Sequence, residues 1–342
     1  MRNFKRAIAV TLVCVLCAGI IFTGIAEFYF SNSYYYYQDS ETRKNFAGKI
    51  DFLICGSSHG LRAFSPEILD KELGCFSYNI SGALMTMQGR YTLFEKEIER
   101  NPVETVVIEV SFNALSRNRT KEGAEGDLYI LARLDNMAER LQYFLSAMKL
   151  SEYDRVLYDT TNRGIQCIEW MFDRRKQVDT TITKGYNRPQ GTLDCTTSAD
   201  SYGKNFHRTK FSETVDDYNT GYLNRIIDIC KEKNVRLIFV VTPIASRYES
   251  QHSNTDTVMA KVREMAANAG AEFYDFNLLK GKDDIFPADT AYYDDSHLSE
   301  SGAETFNREF ARVISAAKNG ENTDEMFYSS YLDAQQYYNC IK

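Results

Sequence analysis

The sequence predicts a three-layer α/β/α sandwich with a mainly parallel sheet, preceded by one N-terminal transmembrane helix. Three observations carry that prediction. From residue 50 onward, short apolar runs alternate with helical patterns. Several of those runs are apolar on both faces, as strands covered by helices on either side must be. Ahead of them, an uncharged stretch follows a basic cluster at the very start of the chain.

That opening stretch comes first. Residues 7–26, AIAVTLVCVLCAGIIFTGIA, carry no charge, and roughly twenty such residues is what a helix needs to cross a hydrocarbon core. Arg2, Lys5 and Arg6 precede it, and no basic residue follows until Arg43. The positive-inside bias then leaves the N-terminus in the cytoplasm and the bulk of the chain outside. Phe28, Tyr29, Phe30 and Tyr34 to Tyr37 form an aromatic cluster suited to the outer interface. A cleaved signal peptide is the rival reading; against it, no small-x-small site follows the run, and Leu16 before Cys17 suits lipoprotein processing poorly. The expected organisation is a stub and signal anchor over 1–30, a tether over 31–49, an α/β domain over 50–318 and a tail over 319–342. The expected location is the cell membrane, single-pass, with the domain extracytoplasmic.

Within the domain, strands are expected at 50–55, 75–80, 105–110, 236–241 and 272–276. Between them SETVDDYNTGYLNRIIDICKEKN sets Val215, Tyr218, Tyr222, Ile226 and Cys230 on one helical stripe that stops near Asn234. After the last strand, Ser301 and Glu304 have capping-box spacing. They open a helix with Ala303, Phe306, Phe310, Val313 and Ala317 on its buried face. Residues 116–211 break the alternation and read as an insertion: LYILARLDNMAERLQYFLSAMKL is helical in pattern, while TTITKGYNRPQGTLDCTTSADSYGKN reads as a long irregular loop, either a lid or a surface excursion. The segment past 318 has no assigned place.

Charge and cysteines exclude some functions. A net charge of −7 without a basic stripe repels a phosphate backbone, so nucleic acid is not an expected partner. Outside the apolar opening lie Cys55, Cys75, Cys167, Cys195, Cys230 and Cys340, an even number that permits disulfides. Cys55 and Cys230 nevertheless fall in apolar periodic segments, where a free thiol packs as a small hydrophobe. No CxxC spacing marks zinc or a redox pair, and no cofactor is expected.

In an open parallel sheet, ligands bind beyond the carboxyl ends of the strands, so polar residues just after strands are the candidates. Ser57, Ser58 and His59 follow the first strand in LICGSSHGL, Ser111 and Asn113 follow the third in VVIEVSFNAL, and YYDDSHLSESGA lies after the last, with Asp294 and His297 three residues apart. A serine, a histidine and an aspartate from distant parts of the chain are thereby brought toward one rim.

The block GSSH resembles the first motif of the SGNH, or GDSL-type, hydrolases, with Ser58 at the nucleophile position; DDSHL followed by SGA resembles their last motif, Asp-x-x-His, at Asp294 and His297. YNISGAL resembles the second block, with Gly82 as the oxyanion glycine and Ser81 competing for the position, and SFNAL stands where the family has Gly-x-Asn-Asp, matching at Asn113 and departing at Ser111 and Ala114. The resemblance spans roughly 50–318. It implies a flavodoxin-like sandwich and a catalytic set of Ser58, Asp294 and His297, with an oxyanion hole from Ser58, Gly82 and Asn113. It also implies an esterase or O-acyltransferase acting through an acyl-serine on a cell-envelope carbohydrate or acylated glycopolymer, as in bacterial envelope proteins that work beside a membrane-bound O-acyltransferase. The alternative is a catalytically idle domain of the same kind that binds glycan or scaffolds such an acyltransferase.

Some assignments stay open at this level. Asp295 competes with Asp294 as the carboxylate that orients His297. His59 is either a substrate contact or a helix-start residue bonded to local backbone. A metal held by His59, His297, Asp294 and Asp295 is the competing enzyme reading, although the residues fit a triad better than a ligand spacing.

Overall fold

The computed structural model describes residues 2–31, 48–110, 115, 125–153, 182–184, 186–187, 215–249 and 254–334. In chain order the elements are α1 (Arg2–Ser31), β1 (Ile50–Cys55), α2 (Ser58–Ala63), α3 (Pro66–Leu73), β2 (Ser77–Asn79), α4 (Met87–Arg100) and β3 (Val103–Glu109). There follow α5 (Glu125–Arg133), α6 (Met137–Ala147), the short strands β4 (Ile182–Thr183) and β5 (Tyr186–Asn187), α7 (Asp217–Glu232), β6 (Arg236–Val241), α8 (Thr255–Ala269), β7 (Glu272–Asp275) and α9 (Glu300–Lys318). They divide into two compact units: Met1–Glu41 with Asp127–Asp179, and Thr42–Gly126 with Thr180–Lys342.

The larger unit is built on a five-stranded sheet of order β2-β1-β3-β6-β7. Every pairing in it is parallel. Counting only these strands, the order is 2-1-3-4-5, the doubly wound arrangement whose switch point lies between its first and third strands. Alternate residues point to opposite faces of a strand. Phe52, Ile54, Val107, Ile238, Val240 and Tyr274 face one layer, where they pack with Phe64, Leu69, Phe306, Phe310 and Val313 from α2, α3, α9 and their flanks. On the other face α4 and α7 pack together. Fully burying one such aliphatic or aromatic side chain contributes about 1.5–3 kcal/mol, which is why these runs are apolar on both sides.

Several boundaries differ from the sequence reading for local reasons. The second strand is shorter than expected, Ser77–Asn79, and at its start the Asp51 and Asp70 carboxylates take the amides of Phe76 and Ser77. On α7 the buried residues are Asn219, Leu223, Ile226, Ile227 and Cys230, so Tyr218 and Tyr222 border the stripe instead of forming it. The helix ends at Glu232 with Lys233 as its cap, and Asn234, two residues past the end, adopts a left-handed φ of 54°. The cap of α9 is Ser299, not Ser301: the Ser299 hydroxyl accepts the Gly302 amide at 3.1 Å, while Ser301 bonds the Thr290 carbonyl. The described part of the tail packs on the far sheet edge, with Phe327 bridging to Leu279 and the buried Tyr331 hydroxyl donating to Asp275 at 2.8 Å.

The ends of α2 explain how the sheet rim is held. A helix leaves its last carbonyls without internal partners, and a six-residue helix cannot neglect them. Asn79, at the end of β2, donates to the carbonyls of Gly60 and Phe64 at 2.9 and 3.0 Å. Asn307, from α9, donates to the Ala63 carbonyl at 2.7 Å and accepts the Ser65 amide at 3.0 Å. Both asparagines are fully buried.

The smaller unit contains α1, α5 from Asp127 and α6. α1 is long and apolar enough to cross a membrane: Asn3–Phe28 has mean hydropathy 2.6 in its most apolar window. The helical expectation for 128–150 holds in α5 and α6, joined at Asn136, whose side chain caps α6 by accepting the Glu139 amide. Most of the polar stretch near 190 lies outside the described residues.

Candidate active site

The rim of the sheet beyond β1 begins with a glycine for a steric reason. A Cβ on Gly56 would stand 2.8 Å from the Glu109 Cβ and 2.9 Å from its Oε2, so β1 and β3 approach here as only glycine allows. Ser57 then caps α2, its hydroxyl accepting the His59 amide at 3.3 Å and donating to Glu109 Oε2 at 2.8 Å. Ser58 is the first residue of α2 and turns its hydroxyl outward from the strand end.

The opposing loop is tied down just as closely. Tyr292 and Leu298 form an antiparallel bridge, and the Tyr293 amide donates to the His297 carbonyl at 2.8 Å. A Cβ on Gly302 would stand 1.9 Å from the Ala291 carbonyl oxygen, so α9 starts pressed against this loop. The loop wraps around Asp294, whose Oδ1 accepts the amides of Ser296 and His297, each at 2.9 Å.

Across this gap the side chains meet. His297 Nε2 lies 2.8 Å from Ser58 Oγ. His297 Nδ1 lies 2.9 Å from both carboxylate oxygens of Asp294, so Asp294, not Asp295, is the carboxylate on the imidazole. Asp295 contributes its carbonyl to the Ala245 amide at 3.1 Å. Burial pushes the Asp294 carboxyl up, but the hydrogen bond and charge of His297, with the two loop amides, outweigh it and hold the group well below the usual carboxylate range. An ionised carboxylate on Nδ1 fixes the tautomer that leaves Nε2 free to accept from the serine.

His59 stacks on His297, ring centroids 4.7 Å apart and planes inclined by 29°. Burial lowers its pKa from 6.5 to about 4, so the ring stays neutral against its neighbour. Its amide is the one already bonded to Ser57. Arg62, four residues after Ser58 on the same face of α2, lies over the Tyr293 ring at 4.3 Å.

The oxyanion candidates divide. The Ser58 amide, at the first position of α2, makes no hydrogen bond among the described residues. The Gly82 amide donates to the Gly56 carbonyl at 3.3 Å, so it faces backbone where the motif reading has it free. Ser81 gives its amide to the Asn79 side chain at 3.0 Å. Asn113 and Ser111 lie outside the described residues. Among the described residues no group of three or more His, Cys, Asp or Glu side chains is arranged to hold a metal ion.

Sequence reasoning overlooked Glu109 and Arg90. Both are buried, Arg90 Nη2 3.8 Å from Glu109 Oε2 and Arg90 Nη1 2.6 Å from the Glu109 carbonyl. The signal was present in VVIEV: a carboxylate set in the aliphatic run of a central strand is expensive to bury unless it holds something.

No family model matches the chain, and no curated protein matches it. Among solved structures, it is similar to a GDSL-like lipase from Bacteroides thetaiotaomicron, with 12% identity and a TM-score of 0.40 over 82% of this chain and 98% of that one. It is similar also to a "putative acylhydrolase" from Bacteroides fragilis, with 12% identity and a TM-score of 0.38 over 83% and 95%. The fold and site together define an α/β protein with a serine, histidine and aspartate in one hydrogen-bonded row at the carboxyl rim of a parallel sheet.

Proposed function

We propose that this chain is a serine ester hydrolase or O-acyltransferase of the SGNH/GDSL type, anchored in the cell membrane by α1. Its substrates are acyl esters, acetyl foremost, of a cell-envelope carbohydrate or glycopolymer. One observation supports this reading above all: the 2.8 Å contact between His297 Nε2 and Ser58 Oγ, joining residues 239 apart in sequence. In this mechanism His297 accepts the Ser58 proton as the hydroxyl attacks the ester carbonyl. Asp294 orients the ring and stabilises the imidazolium. The alcohol leaves with the proton returned by His297, and water or a sugar hydroxyl resolves the acyl-serine by the same steps reversed.

The oxyanion rests first on the Ser58 amide. Asn113 is proposed as the second donor; Gly82 joins only if its long bond to the Gly56 carbonyl opens. A missing donor lowers the rate on the order of a hundredfold without abolishing it. The proposed location has the N-terminus cytoplasmic and the larger unit extracytoplasmic, a reading supported by the apolar length of α1 and its basic flank. A membrane-bound O-acyltransferase is the proposed partner.

A second reading, an idle domain that binds glycan or scaffolds an acyltransferase, is favoured by the engaged Gly82 amide. One experiment separates the two. The detergent-solubilised full chain is treated with a fluorophosphonate; labelling that vanishes in Ser58→Ala supports the enzyme. Equal labelling of both proteins ends the triad assignment, and no labelling with retained glycan binding favours the scaffold.

A further inference from the structure

Outside α1, the large apolar side chains left exposed among the described residues are Leu84, Leu141, Leu145, Leu150, Tyr293 and Leu332. Scattered singly, such residues are ordinary; gathered together, they mark a surface that meets something. Half of them fall within ten residues of the smaller unit, at 54% exposure for Leu141, 59% for Leu145 and 81% for Leu150. Leu141 and Leu145 are one helical turn apart and share a face of α6.

The other side of α6 is fixed by buried polar bonds. Arg140, 2% exposed, donates to the carbonyls of Leu131 and Leu134 at 3.1 and 2.7 Å and pairs with Glu27 of α1. Tyr143 donates to Asp127 at 2.6 Å. Glu27 directly follows the uncharged run that ends at Ala26, and Ala26 is itself buried. The ion pair therefore seats α6 at the level where the apolar span stops. A helix at that depth, held through its polar side and leucine-lined on its free side, has the make-up of a segment that lies in the lipid–water interface.

We propose that α6, with Leu150 just beyond it, docks on the outer leaflet of the bilayer and braces the smaller unit against the membrane through Leu141, Leu145 and Leu150. The occupant of this face is lipid. The inference rests on the anchor reading of α1, and its test keeps the two apart.

The full chain, with its single tryptophan Trp170 replaced by phenylalanine, is reconstituted into phosphatidylcholine vesicles with or without brominated acyl chains. One tryptophan is then introduced at a time: Leu16→Trp within α1, Leu141→Trp or Leu145→Trp on α6, and Arg312→Trp on the exposed side of α9. The expected result is that brominated lipid cuts the emission at residues 16, 141 and 145 to roughly half and leaves residue 312 unchanged. Quenching at 16 with residues 141 and 145 as bright as 312 overturns the docking while leaving the anchor intact. Loss of quenching at 16 overturns the anchor, and the docking with it. Unquenched but blue-shifted emission at 141 and 145 assigns the face to a protein partner and also overturns the proposal.

Discussion

Glu109 and Ser57 meet twice: one carboxylate oxygen, Oε2, accepts both the amide and the hydroxyl of Ser57, each at 2.8 Å. A charge at the end of a central strand is thereby committed to holding the turn that presents Ser58. Arg90 balances it from below. Breaking a buried pair from one side leaves the other charge stranded, so Glu109→Ala should destabilise the protein by about 3–5 kcal/mol. The double variant Glu109→Leu with Arg90→Met should recover most of that in a urea titration. It should still label slowly with fluorophosphonate, because Ser57 has lost its acceptor.

Gly302→Ala should damage the site from the opposite direction. Its methyl would overlap the Ala291 carbonyl, and overpacking of this kind costs about 1–3 kcal/mol. The loop carrying Asp294 and His297 must then move, so a lower melting temperature should come with weaker labelling of Ser58. Unchanged labelling in a destabilised variant would separate the two effects and refute the coupling.

Asp294→Asn should reduce ester turnover on the order of 10³- to 10⁴-fold, the scale on which a triad carboxylate matters through tautomer and charge. Asp295→Asn should be mild, because it is Asp294 that bonds Nδ1. Steady-state rates on an acetyl ester decide it; the reverse ranking would unseat the assignment.

Acid should weaken the fold in two windows. Over pH 6.5 to about 4, the unfolded chain binds a proton at His59 that the folded chain refuses, so stability falls as pH drops, by at most about 1.4 kcal/mol per pH unit. The depressed Asp294 contributes stability that is complete above its ordinary value of 3.8 and is lost as pH falls below it. Urea midpoints measured from pH 7 to 4 should therefore slope less steeply in His59→Asn, and an unchanged slope would count against a neutral ring at this position.

Much of this was legible in the chain because one physical rule wrote it. Two-sided burial forces aliphatic runs, so β1 and β6 were readable to the residue, and polar residues placed just after such runs could be expected at one rim. The contact of Ser58 with His297 needed more than order, since it depends on Gly302 admitting α9 against the loop, and a glycine in sequence does not say what it admits. The α9 cap was misplaced because Ser299 and Ser301 carry the same chemistry and only the path of the chain separates them. Glu109 was passed over because periodicity counts a strand as apolar even when its last residue is charged. At Gly82, the motif could locate the glycine but not show where its amide points.

The clasp that Asn307 forms with Ala63 and Ser65 joins segments 244 and 242 residues apart. Ser58 comes early in the chain and His297 late, and this clasp ties the helix that follows His297 to the segment that follows Ser58. On the proposed mechanism, a species lacking that helix should carry Ser58 without its imidazole partner and should react with fluorophosphonate no faster than an ordinary alcohol.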